Sequence, residues 1–234
     1  MLDTLYGKTF LILGSQLALT WLSTMFILGW VRHRHHAQAE WVIGGLNQHG
    51  SLDLEVDWGM IKPYFWTLLI ADIAVFIVLF FFGKSNLYVG VPLFTIWSLL
   101  TGFTLALALI SVDENLGTQV LALTALITVA AGLAGIYLRI DFSILNASLF
   151  IGLLLILAFG LIRILFAIPR WLQRLFAFFG VLAFAGYLIF NFNRLSILTA
   201  NEAANTWPMA MQISINIYLD VINLFMQLLD LLGK

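Results

Sequence analysis

The sequence predicts an all-α polytopic membrane protein, a seven-transmembrane-helix bundle forming one integral membrane domain over residues 1–234. Three observations lead there. Hydrophobic residues make up 62% of the chain and charged residues 10%, against about 45–50% and about 25% in soluble domains. The mean hydropathy is +1.01. A single soluble core of this size cannot absorb such an excess, so the solvent must be lipid. Apolar stretches also recur near the roughly 20 residues that a span requires.

The first stretch, 9–31, follows Asp3 and a lone Lys8. It is long enough to span and ends without a small-residue cleavage site, so it reads as a retained helix rather than a signal peptide. Stretches 63–82, 88–110, 116–138 and 142–168 follow. The short break Pro169-Arg170 separates the fifth from 171–192. The seventh, 208–232, is the most polar, and a soluble or re-entrant segment is the alternative there. Two connections are long and polar, 32–62 and 193–207. Arg32, Arg34, Lys62, Arg170, Arg174 and Lys234 fall on one side of the bundle, and Lys8, Lys84, Arg139 and Arg194 on the other. The positive-inside rule then places the C-terminus in the cytoplasm.

The last stretch carries polar residues on one side only. Gln212, Asn216, Asp220, Asn223, Gln227 and Asp230 fall within roughly 80° at about 100° per helical residue. Such a seam faces protein or water, and an ionisable residue at its middle makes Asp220 the first candidate for function. The amides can be explained as interhelical hydrogen bonds, which contribute about 0.6 kcal/mol each on average. An Asp is explained less well that way, because another Asn would serve at lower cost.

Other charged and polar groups weigh less. Asp72 lies deep in the second stretch and calls for an interior partner, with Arg163, Arg194 or the polar seam as candidates. Arg163 is near enough to a helix end to snorkel. His33, His35 and His36, with His49 beyond them, invite a metal reading. Interleaved arginines oppose it, and a basic flank that stops the first helix explains the cluster better. Asp53, Glu55 and Asp57 alternate as in a strand edge but fit a solvated loop better, and Asp113-Glu114 reads as a solvated turn. Trp30, Trp58, Trp66, Trp171 and Trp207 sit near span ends, as amphipathic rings prefer. Ala130, Ala131, Gly132, Ala134 and Gly135 permit close helix packing. With no cysteine, thiol chemistry is excluded, and the net charge of −1 gives no case for nucleic acid. HExxH, GxSxG and phosphate-cradling loops are missing, so no enzymatic activity, metal or cofactor is expected.

The run Ile217-Tyr218-Leu219-Asp220-Val221-Ile222-Asn223-Leu224-Phe225, closing in Leu228-Leu229-Asp230-Leu231-Leu232-Gly233, resembles the C-terminal signature of the Bax inhibitor-1 (transmembrane Bax inhibitor motif) family, in its bacterial form. Lys8 to Gly14, Pro92 to Leu105, Thr118 to Leu133 and Asp141 to Leu153 resemble its first, third, fourth and fifth helices in the same order. The resemblance implies seven helices with the last one central, and a bacterial inner-membrane location. It also implies a pH-sensitive calcium leak, attributed in bacterial members to two aspartates. Asp220 matches one of them. At the other position the chain reads Phe190-Asn191-Phe192-Asn193-Arg194, so Asn191 stands where the aspartate is expected. An arginine of the second helix, linked in relatives to the pair, is missing too, and Asp72 is the ionisable residue there.

The gate or ion-site candidates are therefore Asp220, Asn191, Asp72, Asn216, Asn223 and Arg194, with Asp220 a weak ligand for a transient Ca2+. Two carboxylates held close share a proton; an Asn donates a hydrogen bond at every pH and never titrates. Two functions follow from the resemblance. One is a cation leak with an altered Asp–Asn gate. The other is a membrane regulatory protein that binds a membrane AAA protease of the FtsH type, or serves a stress response, without conducting ions.

Overall fold

In the computed structural model, six helices among the described residues are long and apolar enough to cross a membrane. They are α1 (Leu5–His36), α2 (Trp58–Val78), α3 (Leu87–Ile110), α4 (Glu114–Tyr137), α5 (Arg170–Thr199) and α6 (Trp207–Leu232). The structure describes residues 3–46, 52–83, 86–110, 112, 114–138, 152, 166 and 168–233. The span expected at 142–168 falls almost wholly outside them, as do Arg163 and His49.

Helix boundaries differ from the expected ones where a cap or an extra turn extends the apolar run. α1 continues to His36, so His33, His35 and His36 form its last turn rather than a loop. Arg34, in the same last turn, complements the carbonyl end of the helix dipole. α2 begins five residues before Pro63, because Asp57 caps it by accepting from the Gly59 amide at 2.8 Å. A π-helical turn, Leu79–Gly83, extends α2. α5 runs to Thr199, which puts Asn193 and Arg194 inside a helix and shortens the expected 193–207 connection. Thr206 caps α6 through the Met209 amide.

The connection after α1 holds the main correction to the all-helical expectation. Val42–Leu46 and Leu52–Val56 form an antiparallel hairpin, β1 and β2, with Gly44 opposite Leu54. Asp53 and Glu55 therefore lie in a strand, and Asp57 is a helix cap, where a solvated loop is the sequence reading. Alternation in 52–56 carried the strand signal, but the polar surroundings masked it.

Two packed units make up the chain. Residues 11–114 form one. Its α1 and α3 meet along small and hydroxylated residues. Ser98 donates to Gln16 Oε1 at 2.9 Å, Thr24 to the Gly102 carbonyl at 3.0 Å and Ser23 to the Leu99 carbonyl at 2.9 Å. In apolar surroundings such bonds join helices that have no hydrophobic drive to associate. The hairpin closes on the end of α1: Val42 joins Val31 and Ile110 in a buried cluster, Trp41 stacks on Trp30 at 5.2 Å, and the His35 ring lies on Gly44.

The other unit comprises residues 1–10 with 115–234. Here α5 and α6 run antiparallel: Arg174 with Gly233 and Gly180 with Gln227 keep one register, and Asn191 meets Asp220 within about one helical turn of it. α4 joins α5 where Asn193 Nδ2 donates to the Gly135 carbonyl at 3.1 Å. The first turns of α1 join α6 where the buried Ser214 hydroxyl reaches the Thr9 carbonyl at 2.9 Å. Lys8 Nζ meets the Asn205 carbonyl at 2.9 Å and lies over the Trp207 ring.

Glycine substitutions should separate rigid from soft contacts. A Cβ on Gly135 would lie 2.5 Å from the Ile189 carbonyl oxygen, a backbone atom, whereas one on Gly180 would meet the mobile end of Gln227. Gly135→Ala is expected to lower stability by about 1–3 kcal/mol, and Gly180→Ala by clearly less, as read by thermal unfolding of the purified protein in detergent. Gly44→Val, which drives a side chain into His35, should free the hairpin and speed proteolysis within residues 37–57, leaving the helices intact.

Candidate functional site

α6 carries its polar residues on one side as the spacing requires, but they are not equally buried. Gln212, Asn216, Asn223, Gln227 and Asp230 are half-buried, and only Asp220 is buried, with 6% of its surface exposed. Asp220 stands 13 residues from Trp207 and 12 from Leu232, or about 20 and 18 Å from the two ends at 1.5 Å per residue. Tyr218, Ile217 and Ile215 beside it are fully buried. A carboxyl group at this depth needs a protein partner, because neither lipid nor bulk water supplies one.

That partner is Asn191. Its Nδ2 donates to Asp220 Oδ2 at 2.7 Å, and Asn191 is itself 6% exposed. Antiparallel packing of α5 on α6 brings the two together from 29 residues apart in sequence. The 2.7 Å distance is that of a short, well-formed side-chain hydrogen bond. Asn193, two residues on, points to α4 instead and ties the same stretch of α5 to Gly135. The backbone that carries Asn191 is thus tied to α4 through Asn193, while the Asn191 amide itself bonds Asp220.

Tyr187 is a neighbour that sequence reasoning passed over. It lies one turn before Asn191 on α5, half-buried and within electrostatic reach of Asp220. Its signal was available only after Asn191 had been identified, since residues four apart share a helix face.

The remaining candidates disperse. Asn223 donates back to the Leu219 carbonyl of its own helix at 2.8 Å. Asn216 is half-buried on the same side as Asp220, one turn earlier. Arg194 is half-buried on α5, three residues past Asn191, and among the described residues no ion pair joins it to Asp220. Asp72 belongs to the other unit, where it faces Thr101. His33 and His36 are exposed, and His35 packs on Gly44. Among the described residues, no three His, Asp or Glu side chains are grouped so as to hold a metal ion.

Chemically, the pair is one carboxyl group with one fixed donor. Its charge is zero or minus one, never minus two. Calcium takes 6–8 oxygen ligands, usually with more than one carboxylate. Asp220 therefore suits brief contact with a passing cation better than tight chelation.

Removing the donor tests how much the carboxyl depends on it. Asn191→Leu leaves a buried carboxyl unpaired and should lower stability by about 1–3 kcal/mol. The double variant Asn191→Leu with Asp220→Leu should recover most of that loss, because two apolar groups need no partner. Chemical unfolding in mixed micelles reads both.

Comparison with known proteins adds to this geometry. A family model described as inhibitor of apoptosis-promoting Bax1 matches residues 3–234. An uncharacterized membrane protein of Streptococcus pyogenes serotype M6 is 28% identical over 155 residues, which is 65% of this chain and 66% of that protein. A Golgi anti-apoptotic protein of vaccinia virus, strain Lister, is 36% identical over 140 residues, 57% of this chain and 56% of its own length. Protein LIFEGUARD 1 of Arabidopsis thaliana is 35% identical over 95 residues, 40% of this chain and 37% of its own. The chain thus matches less than two thirds of the length of each of these relatives.

Proposed function

The chain belongs to the Bax inhibitor-1 family of membrane proteins, and from that premise we propose that it is a slow cation leak whose gate is the Asp220–Asn191 pair. The observation that carries the reading is the 2.7 Å bond from Asn191 to a buried, mid-span Asp220. An ionisable group at such a depth is the usual mark of an ion or proton path. α5 and α6 supply the two halves of the gate. Asp220 carries the charge that a cation meets, and Asn191 holds its carboxyl in place whether or not it is ionised.

The Asn changes how such a gate answers to pH. Two coupled carboxyls release protons in two steps that belong to the pair. A lone carboxyl beside an amide releases one. The site gains its single negative charge as pH rises through that one transition and loses it as pH falls. The leak should therefore vary with pH no more steeply than one proton allows.

A second reading rests on the relatives' names. One viral relative is called a Golgi anti-apoptotic protein, which fits regulation of other proteins at a membrane. On this reading the chain binds a partner such as a membrane AAA protease, and the Asp220–Asn191 bond only packs α5 on α6.

Calcium-loaded liposomes separate the two. With wild type a leak is expected that changes over a single pH step. Asp220→Asn should abolish it, and Asn191→Asp should steepen its pH dependence toward two protons. A leak untouched by Asp220→Asn, alongside unchanged association with the protease in pull-downs, would favour the regulatory reading.

A further inference from the structure

The helices of the unit formed by residues 11–114 contain a second intramembrane carboxyl, whose setting differs from that of Asp220. Asp72 lies 13 residues after Gly59 and 11 before Gly83 in the apolar run of α2 and its π-helical turn. At 1.5 Å per residue that is about 20 and 16 Å from the ends. It faces Thr101 of α3. One turn away, Phe76 packs on Trp97 with ring centroids 5.1 Å apart. Both pairs obey one antiparallel register of α2 on α3, so the approach of Asp72 to Thr101 follows from helix packing.

Two oxygens are left over there. Thr101 is 7% exposed, and among the described residues neither its Oγ1 nor Asp72 Oδ1, both buried atoms, makes a hydrogen bond of ordinary length, although the two side chains face each other. The neighbouring face of α3 behaves otherwise. Ser98 is bonded to Gln16, and the Gly102 carbonyl accepts from Thr24. Along one helix, then, one polar face is satisfied within the protein and the other is not. Unsatisfied oxygens at mid-span are costly, because lipid supplies no donor or cation. A small positive guest that seeks oxygen would satisfy both.

We propose that Asp72 and Thr101 form a binding site for one small monovalent cation, of the sodium type, between α2 and α3. Charge selects the valence. One carboxylate neutralises one unit of positive charge, and a divalent ion would leave an uncompensated charge in hydrocarbon. Ligand number agrees, since two side-chain oxygens with a water or two fall short of the shell calcium demands. Among the described residues no lysine or arginine is paired with Asp72 to supply the charge instead. The site shares no residue with the Asp220–Asn191 pair and stands whether or not that pair gates a leak.

Dicyclohexylcarbodiimide, which modifies carboxyl groups in apolar surroundings, tests the proposal on the purified full chain. Modification of Asp72, read by mass spectrometry of its peptide, should proceed in choline chloride and slow several-fold when sodium chloride replaces it at equal ionic strength. Thr101→Val should still be modified but need roughly tenfold more sodium for half-protection, as expected for one lost ligand oxygen. Asp220→Asn should leave the sodium effect unchanged. The readout on the wild type needs no variant to fold. Modification of Asp72 at a rate indifferent to sodium, or its failure to be modified in choline, would overturn the proposal.

Discussion

Burial of an ionisable group at the middle of a spanning helix is the constraint around which α5 and α6 are arranged. A carboxyl at the depth of Asp220 must find a donor from protein, and the donor must come from another helix, because α6 spends its own amides on its backbone ladder. Asn191 meets that demand at 2.7 Å. Once it does, the relative register of the two helices follows, and Gly180 falls against Gln227 and Arg174 against the Gly233 carbonyl. The last of these sets a cation at the carbonyl end of α6, which its dipole favours.

Close packing follows from small residues rather than from hydrophobicity. Lipid tails are as apolar as leucine, so burying leucine against leucine gains little. Contact instead concentrates where a glycine lets backbones approach. Gly135 admits the backbone of α5 in one unit, and Gly102 admits Thr20 and Ser23 of α1 in the other. At each place a side-chain hydroxyl or amide bonds a backbone carbonyl of the neighbouring helix, Asn193 to Gly135 and Thr24 to Gly102. The glycine and the bond act together, since the polar reach is short enough only when the backbones are close. The small-residue run in α4 announced its packing role in sequence, but the identity of the facing helix did not appear there.

The candidate site was legible to different depths. Asp220 stood out because an aspartate in an apolar run is rare and the polar seam placed it on one side. Asn191 became visible through the family resemblance, which led to the expectation of an acid at the position where this chain has an amide. Tyr187 was not visible, since a tyrosine among Phe184, Leu188 and Phe190 looks like ordinary membrane composition until helix packing brings it within electrostatic reach of Asp220. Asn223 shows how little spacing says about a partner. Its position on the seam suggested a bridge between helices, and its amide turns back to Leu219. Spacing along one helix gives the side on which a group lies, not the rotamer it adopts.

Composition and period by themselves determined that this is a helical membrane protein, where most spans lie, and that the last one has a polar side with an acid at its centre. These properties reside in single segments, and the free energy that enforces them, transfer of about twenty residues into lipid, is local. Tertiary structure decided the rest. It placed a hairpin strand where alternating Asp53 and Glu55 read as loop, because backbone pairing with Val42–Leu46 outweighs local polarity. It selected Asn191 from the polar residues of α5 as the one bonded to Asp220, and Asn193, two positions away, for α4. Hydrogen bonds between helices depend on register and on tenths of an ångström. Both arise only when the helices pack, so the polar seam of α6 is a property of the sequence, while the single buried pair within it belongs to the fold.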